Sequence, residues 1–246
     1  MKRALLCLLM AAAFTQSCKD DDDNYSDVIV EPELITEQNS NDDKAIAKYM
    51  EEHYLNEQGA VTKIDSTKTI PQVKLADLNP TTLPSGVIVI KRQGAQPSDA
   101  TGTTIGDTDV LRIMHNTTTF LSTKNDKGDI IYSSSYTFRN SIDGNGVPEV
   151  DPYYFYVKKS VLEASTNTDE QKKRSYYEIE GFQEGIKHFK GFNLDDSEIH
   201  NLQGVIIVPS RAAYARDAHY TSAYRNRTFI FNFQIYKNTT RPASQE

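Results

Sequence analysis

Toward the C-terminus, hydrophobic and polar positions alternate. Phe229, Phe231, Phe233 and Ile235 hold one parity, and Ile230, Asn232, Gln234 and Tyr236 the other. This period of two predicts a strand. Before it, Gly204-Val-Ile-Ile-Val208 is apolar without a break. That run predicts a buried strand, stopped by Pro209 because proline has no N–H to give a ladder. Further upstream, Leu83-Pro-Ser-Gly turns into Val87-Ile-Val-Ile90, four β-branched residues that predict another buried strand. Residues 109–114, 129–132 and the run Tyr153-Tyr-Phe-Tyr-Val157 predict three more. A short helix is expected over residues 181–189, with Phe182, Ile186 and Phe189 on one face. Another is expected from a cap at Asp42 or Asp43 to about Asn56, its apolar face carrying Ile46, Tyr49, Met50, His53 and Tyr54. Short strands around one short helix make an α+β domain.

The first 17 residues have a basic start (Lys2, Arg3), an apolar run and small or polar residues before Cys18. This predicts a secretory signal, too short for a stable membrane span. Thr15-Gln16-Ser17-Cys18 resembles a lipobox, which implies that Cys18 is diacylated and becomes the mature N-terminus. Two acyl chains anchor stably where one does not. Lys19 followed by Asp20 to Asp23 resembles the surface-export signal of Bacteroidetes lipoproteins. The expected location is therefore the outer membrane, exposed on the cell surface, or otherwise facing the periplasm. The expected organisation is a signal over residues 1–17, an acidic disordered tether over 18–41 and a helix with connector over 42–82. The main domain follows over 83–238, and a disordered tail over 239–246.

Cysteine usage fits that picture. Cys7 lies in the signal and Cys18 at the acylation site, so the mature domain has no disulfide, thiol nucleophile or thiolate metal site. Loss of Lys2 and Arg3 takes the formal net charge from −7 to −9, which disfavours nucleic-acid binding. The five histidines are not paired at ligand spacing, and neither a metal nor a cofactor is expected. Asp195, Asp196 and Glu198 lack the glycine and alternating oxygens of a calcium loop. Ser133-Ser134-Ser135 has no nucleophile elbow around it. Asp65-Ser66-Thr67 resembles an O-glycosylation acceptor of the same bacterial group.

Three segments then occur in an informative order. Glu178-Ile-Glu-Gly181-Phe182-Gln-Glu-Gly185 resembles the Val-Ile-x-Gly-Trp-x-x-Gly segment of FKBP-type peptidyl-prolyl cis-trans isomerases. Val208-Pro-Ser-Arg-Ala-Ala-Tyr214-Ala215 resembles their Ile-Pro-x-x-x-Ala-Tyr-Gly loop, with Ala215 in place of glycine. Thr228-Phe-Ile-Phe231-Asn-Phe-Gln-Ile235 resembles their closing strand. Upstream, Gly128-Asp-Ile-Ile-Tyr132-Ser133 is similar to Gly-x-x-Phe-Asp, with one inserted residue and Ser133 for the aspartate. The resemblance spans about residues 83–238 and is sharp from Tyr177 onward.

The resemblance implies a strongly curved antiparallel sheet wrapped around a short central helix, with an N-terminal helical extension. It implies a pocket with Ile179 and Phe182 in wall and floor, Phe231 as a further aromatic, and Tyr214 donating to a ligand carbonyl. Tyr132 and His219 are implied as neighbours, together with Ile113 or, with a shift, His115. The ligands implied are proline-containing polypeptides. An alternative is a catalytically silent FKBP-like binding module in an envelope assembly, and a weaker one a surface glycan binder using Tyr153, Tyr154 and Tyr156.

Overall fold

The computed structural model describes residues 31–144, 146–219 and 221–246. The expected signal, Cys18 as the expected acylation site and the acidic stretch through Val30 lie outside the described residues. The chain enters helix α1 (Ile35–Glu52) well before the cap expected at Asp42 or Asp43. Residues 35–41, expected in the tether, are helical. The first half of α1 turns Gln38, Asn41 and Asp42 inward and the second half Ala45, Ile46 and Tyr49, so an apolar period marks only the second. The helix stops at Glu52. His53 and Tyr54, expected on it, lie in β1 (His53–Leu55), which pairs with β2 (Val61–Lys63).

Next come β3 (Thr81–Thr82), β4 (Ile88–Lys91), β5 (Thr103–Thr104), β6 (Val110–Lys124), β7 (Ile130–Asn140) and β8 (Glu149–Val150). Helices α2 (Lys159–Leu162) and α3 (Glu180–Ile186) are followed by β9 (Lys190–Gly191), β10 (Gly204–Val208) and β11 (Arg227–Thr239). The main sheet runs β3-β4-β10-β11-β6-β7, with β8 against the start of β6 and every pairing antiparallel. The expected α+β class is therefore what the chain adopts, built on an antiparallel sheet with few helices.

Both faces of the sheet are covered. On one face Ile206 and Val208 of β10 and Phe229, Phe231, Phe233 and Ile235 of β11 pack with Phe182 and Ile186 of α3. On the other, Val205 and Ile207 of β10, Ile230 of β11 and Phe120 of β6 pack with Ala45, Ile46 and Tyr49 of α1. That explains why residues 204–208 carry no polar position: a strand between two covers has no wet side. Helix α1, with Leu75 and the β1–β2 pair, is thus the second cover of the sheet.

Two glycines let α3 approach. A Cβ on Gly181 would lie 2.5 Å from Val208 Cγ1 and 2.8 Å from both Val87 Cγ2 and the Ala212 carbonyl. One on Gly185 would lie 2.6 Å from Ile206 Cγ2. Spaced four apart, they form one smooth helix face against β10.

Residues 153–157, expected as a strand, are not one. Pro152 offers no N–H, β8 already holds that stretch of β6, and the chain folds into a turn with Phe155 N bonded to the Pro152 carbonyl at 3.0 Å. Tyr154, Phe155, Tyr156 and Val157 are all buried. The C-terminal stretch beyond 238, expected as a disordered tail, carries a buried Arg241. Its guanidinium pairs with Asp151 and lies 4.2 Å from the Tyr156 ring.

Candidate functional site

Helix α3 and β11 bring the expected floor together. The Phe182 and Phe231 rings lie 4.3 Å apart. Ile179 caps the N-terminus of α3, and the loop after Pro209 carries Tyr214 to 5.9 Å from Phe229, which stacks on Phe231 at 6.1 Å. All four belong to one cluster, as does Ile113 of β6. His115 shares the face of Ile113 two residues on. His219 lies beside Tyr214, with ring centroids 4.8 Å apart. Burial, and then the nearby Arg225 charge, lower the His219 pKa from its ordinary value.

Tyr132 lies elsewhere. It packs against Tyr49 and Phe120 on the α1 face, and its hydroxyl donates to Glu52 of α1 at 2.5 Å. The β7 residue that reaches the cluster is Phe138, 5.1 Å from Phe229 and 6.3 Å from Phe231. Between the two, Ser134 takes a left-handed φ of 48°, and the register of β6 on β7 shifts between Thr119 and Leu121. A bulge of this kind re-aims the side chains that follow it. The bulge changes the parity without leaving a mark in the hydrophobic pattern, so no sequence signal marked Phe138.

The cluster is closed. Ile179, Phe182 and Phe231 have no exposure and Tyr214 has 2%. The expected open hollow is filled by Tyr154, whose ring lies 5.3 Å from Phe182, 5.6 Å from Phe231 and 5.5 Å from Phe138. The Tyr214 hydroxyl donates to the Tyr177 carbonyl at 2.8 Å. Beneath Tyr154 sits a buried polar group: His115 Nε2 is 2.8 Å from Glu149 Oε2, and Nδ1 is 2.8 Å from Thr117 Oγ1. A ring donating to the carboxylate and accepting from the threonine satisfies both contacts. Tyr154 is left with long contacts, 3.4 Å to His115 Nε2 and 3.5 Å to Glu149 Oε2. Burial raises the Tyr154 phenol well above its usual pKa, so it stays neutral.

Outside this seal lies an open cleft of about 560 Å³, lined by Tyr153, Tyr156, Tyr177, Val157 and Val161 with Arg139 and Lys158. Two of its tyrosines lie under cations: Arg174 is 4.5 Å over Tyr156 and Arg139 5.2 Å over Tyr153. Cleft and sealed cluster share one segment, since Tyr154 and Phe155 point inward between Tyr153 and Tyr156. The cleft has the size and apolar lining of a ligand site. Among the described residues, no three His, Cys, Asp or Glu side chains are placed to hold a metal ion, and no helix is long and apolar enough to cross a membrane.

The loop with Tyr214 is tied to the N-terminal segment. Asp42 of α1, fully buried, accepts hydrogen bonds from Ser210 N at 3.0 Å, Ser210 Oγ at 2.5 Å and Gln38 Nε2 at 2.8 Å. Arg211 pairs with Asp43 at 2.7 Å, and Glu31 takes Arg225 and Asn226. Ala215, where the resembling motif has glycine, has a φ of 47°. That left-handed backbone is one that glycine adopts without strain.

No protein-family model and no curated protein matches this chain. Among solved structures, it is similar to a peptidyl-prolyl cis-trans isomerase from Pseudomonas syringae pv. tomato. The identity is 10% and the TM-score 0.33, over 65% of this chain and 81% of that one.

Proposed function

We propose that this chain is an FKBP-like peptidyl-prolyl isomerase, lipid-anchored through Cys18 and acting on exported or cell-surface polypeptides. The observation that carries this reading is the meeting of Ile179, Phe182, Tyr214 and Phe231 in one aromatic cluster. Rotation about a peptide bond faces a barrier of about 18–20 kcal/mol because resonance must be broken. A twisted prolyl imide has lost that resonance and is less charge-separated than its ground state. An apolar, aromatic surround therefore suits the transition state better than water does. In the conformation described, turnover requires residues 153–157 to withdraw from Phe182 and Phe231.

The test is isomerisation of an Ala-Leu-Pro-Phe peptide by the mature chain, with Phe231→Leu as the comparison. That change keeps an apolar side chain but removes the ring against Phe182. We expect a rate above background that falls about tenfold in the variant, equivalent to roughly 1.4 kcal/mol of barrier. Tyr214→Phe is the poorer probe, because the hydroxyl it deletes also holds Tyr177. A second reading, a silent binding module, draws on the same closure, since Tyr154 and Tyr177 occupy the places a ligand would take. It predicts affinity for the peptide with no turnover, both in the native chain and after Tyr154→Ala.

A further inference from the structure

Residues 152–157 are neither helix nor strand, yet their backbone is bonded like that of a bound peptide. Ile179 N donates to the Tyr154 carbonyl at 2.8 Å and Gln183 Nε2 to the Phe155 carbonyl at 2.6 Å. Arg174 Nη1 donates to the Val157 carbonyl at 2.8 Å, and Val157 N to Glu178 Oε1 at 2.8 Å. The groups that grip the segment come from residues 174–183, which lead into and form α3. The Tyr154 ring rests on Phe182 and Phe231, and Tyr214 donates to the Tyr177 carbonyl. The apolar floor and the hydroxyl donor of the cluster are thus both engaged by the chain itself.

We propose that the segment around Tyr154 is a built-in occupant of the polypeptide site, with the Tyr154 ring in the seat of a ligand's prolyl ring. Displacing it converts a latent domain into an open one. The proposal rests on the isomerase reading given above.

Tyr154 differs from an ordinary core aromatic in one respect. His115 and Glu149 are bonded to each other at 2.8 Å, so the phenol meets them only at 3.4 and 3.5 Å. A buried hydroxyl without a short partner is a liability to the closed state. Ring packing holds the occupant in, and its own polar end weakens the hold. The cleft beside it offers an approach, because Tyr153, Tyr156 and Tyr177 line it and flank the occupant. A polypeptide seated there touches the segment that has to move.

The test uses the mature chain, its Tyr154→Ala, Tyr154→Phe, Glu178→Ala and Phe231→Leu variants, and the Ala-Leu-Pro-Phe peptide as probe. Tyr154→Ala empties the seat and is expected to raise kcat/KM at least tenfold over the native chain. Tyr154→Phe removes the ill-bonded hydroxyl and keeps the ring, so its rate should not exceed the native rate. Glu178→Ala loosens the segment through Val157 and Arg174 without touching the ring cluster, and should give an intermediate gain. It stands in for Tyr154→Ala should that variant not fold. Native and Tyr154-less chains that turn over equally, with the rate still sensitive to Phe231→Leu, would overturn latency and leave the isomerase reading intact. Folded variants that neither bind nor isomerise the peptide overturn that reading, and latency with it.

Discussion

Asp42 shows how one side chain can govern the position of a loop. Its carboxylate is buried in mid-helix and accepts from Ser210 and Gln38, which ties α1 to the turn that carries Tyr214. Burial raises its pKa above the ordinary value, and the hydrogen bonds from Ser210 and Gln38 offset only part of that. A carboxyl whose folded pKa is raised binds its proton more tightly folded than unfolded. Its contribution to stability is then fully present below the unfolded pKa of about 3.9 and is lost as pH rises through the folded value. Asparagine has no such dependence. Unfolding of the native chain and of Asp42→Asn by denaturant, at about pH 4 and about pH 7, should show the comparison moving against the native chain as pH rises. A difference independent of pH would mean that the carboxyl titrates alike in both states.

Among the elements, α3 depends most on residue size. Gly181→Ala places a methyl group within 2.8 Å of atoms from β10, from Val87 and from the Ala212 carbonyl, so the helix has to lift off the sheet. Overpacking of this kind costs about 1–3 kcal/mol, which a denaturation midpoint reads directly. An unchanged midpoint would mean that α3 slides to make room. The elements also show what the sequence made legible. The alternation in β11 and the unbroken apolar run in β10 announced themselves, because the cover on each face dictates which positions can be polar. The run 153–157 was misleading, since five apolar residues look alike whether a ladder or side chains satisfy the backbone. Here Gln183, Glu178 and Arg174 do so, from positions that only the fold brings near. The start of α1 was hidden for a related reason: Gln38, Asn41 and Asp42 are buried polar residues and leave no hydrophobic period. In the cluster, Ile179, Phe182, Tyr214 and Phe231 were legible as neighbours. Tyr154 and Phe138 were not, as one sits in that turn and the other beyond a bulge.

At the scale of the whole molecule, the question is whether the sheet can stand without the helix that precedes it. Ile88 and Ile90 of β4, Val205 and Ile207 of β10, Ile230 of β11 and Phe120 of β6 share one buried cluster with Ala45, Ile46 and Tyr49 of α1 and with Leu75. Removing α1 would uncover the part of that cluster packed on Ala45, Ile46 and Tyr49, an apolar patch of the kind that drives association. Ile46 and Tyr49 are 1% and 7% exposed, so the contact is as dry as the core on the other face. Each large aliphatic or aromatic residue cut to alanine in such a core costs about 2–5 kcal/mol, and a whole domain is stable by only about 5–15 kcal/mol. A chain beginning at His53 should therefore lose cooperative unfolding, bind a hydrophobic dye and associate in size-exclusion chromatography. The chain beginning at Glu31 keeps α1 and the contacts of Glu31 with Arg225 and Asn226, and should remain monomeric with a single transition. If the shorter chain were monomeric and unfolded in one sharp step, α1 would be an accessory to a sheet that is complete without it. The covering of both faces by one hydrophobic economy would then be wrong.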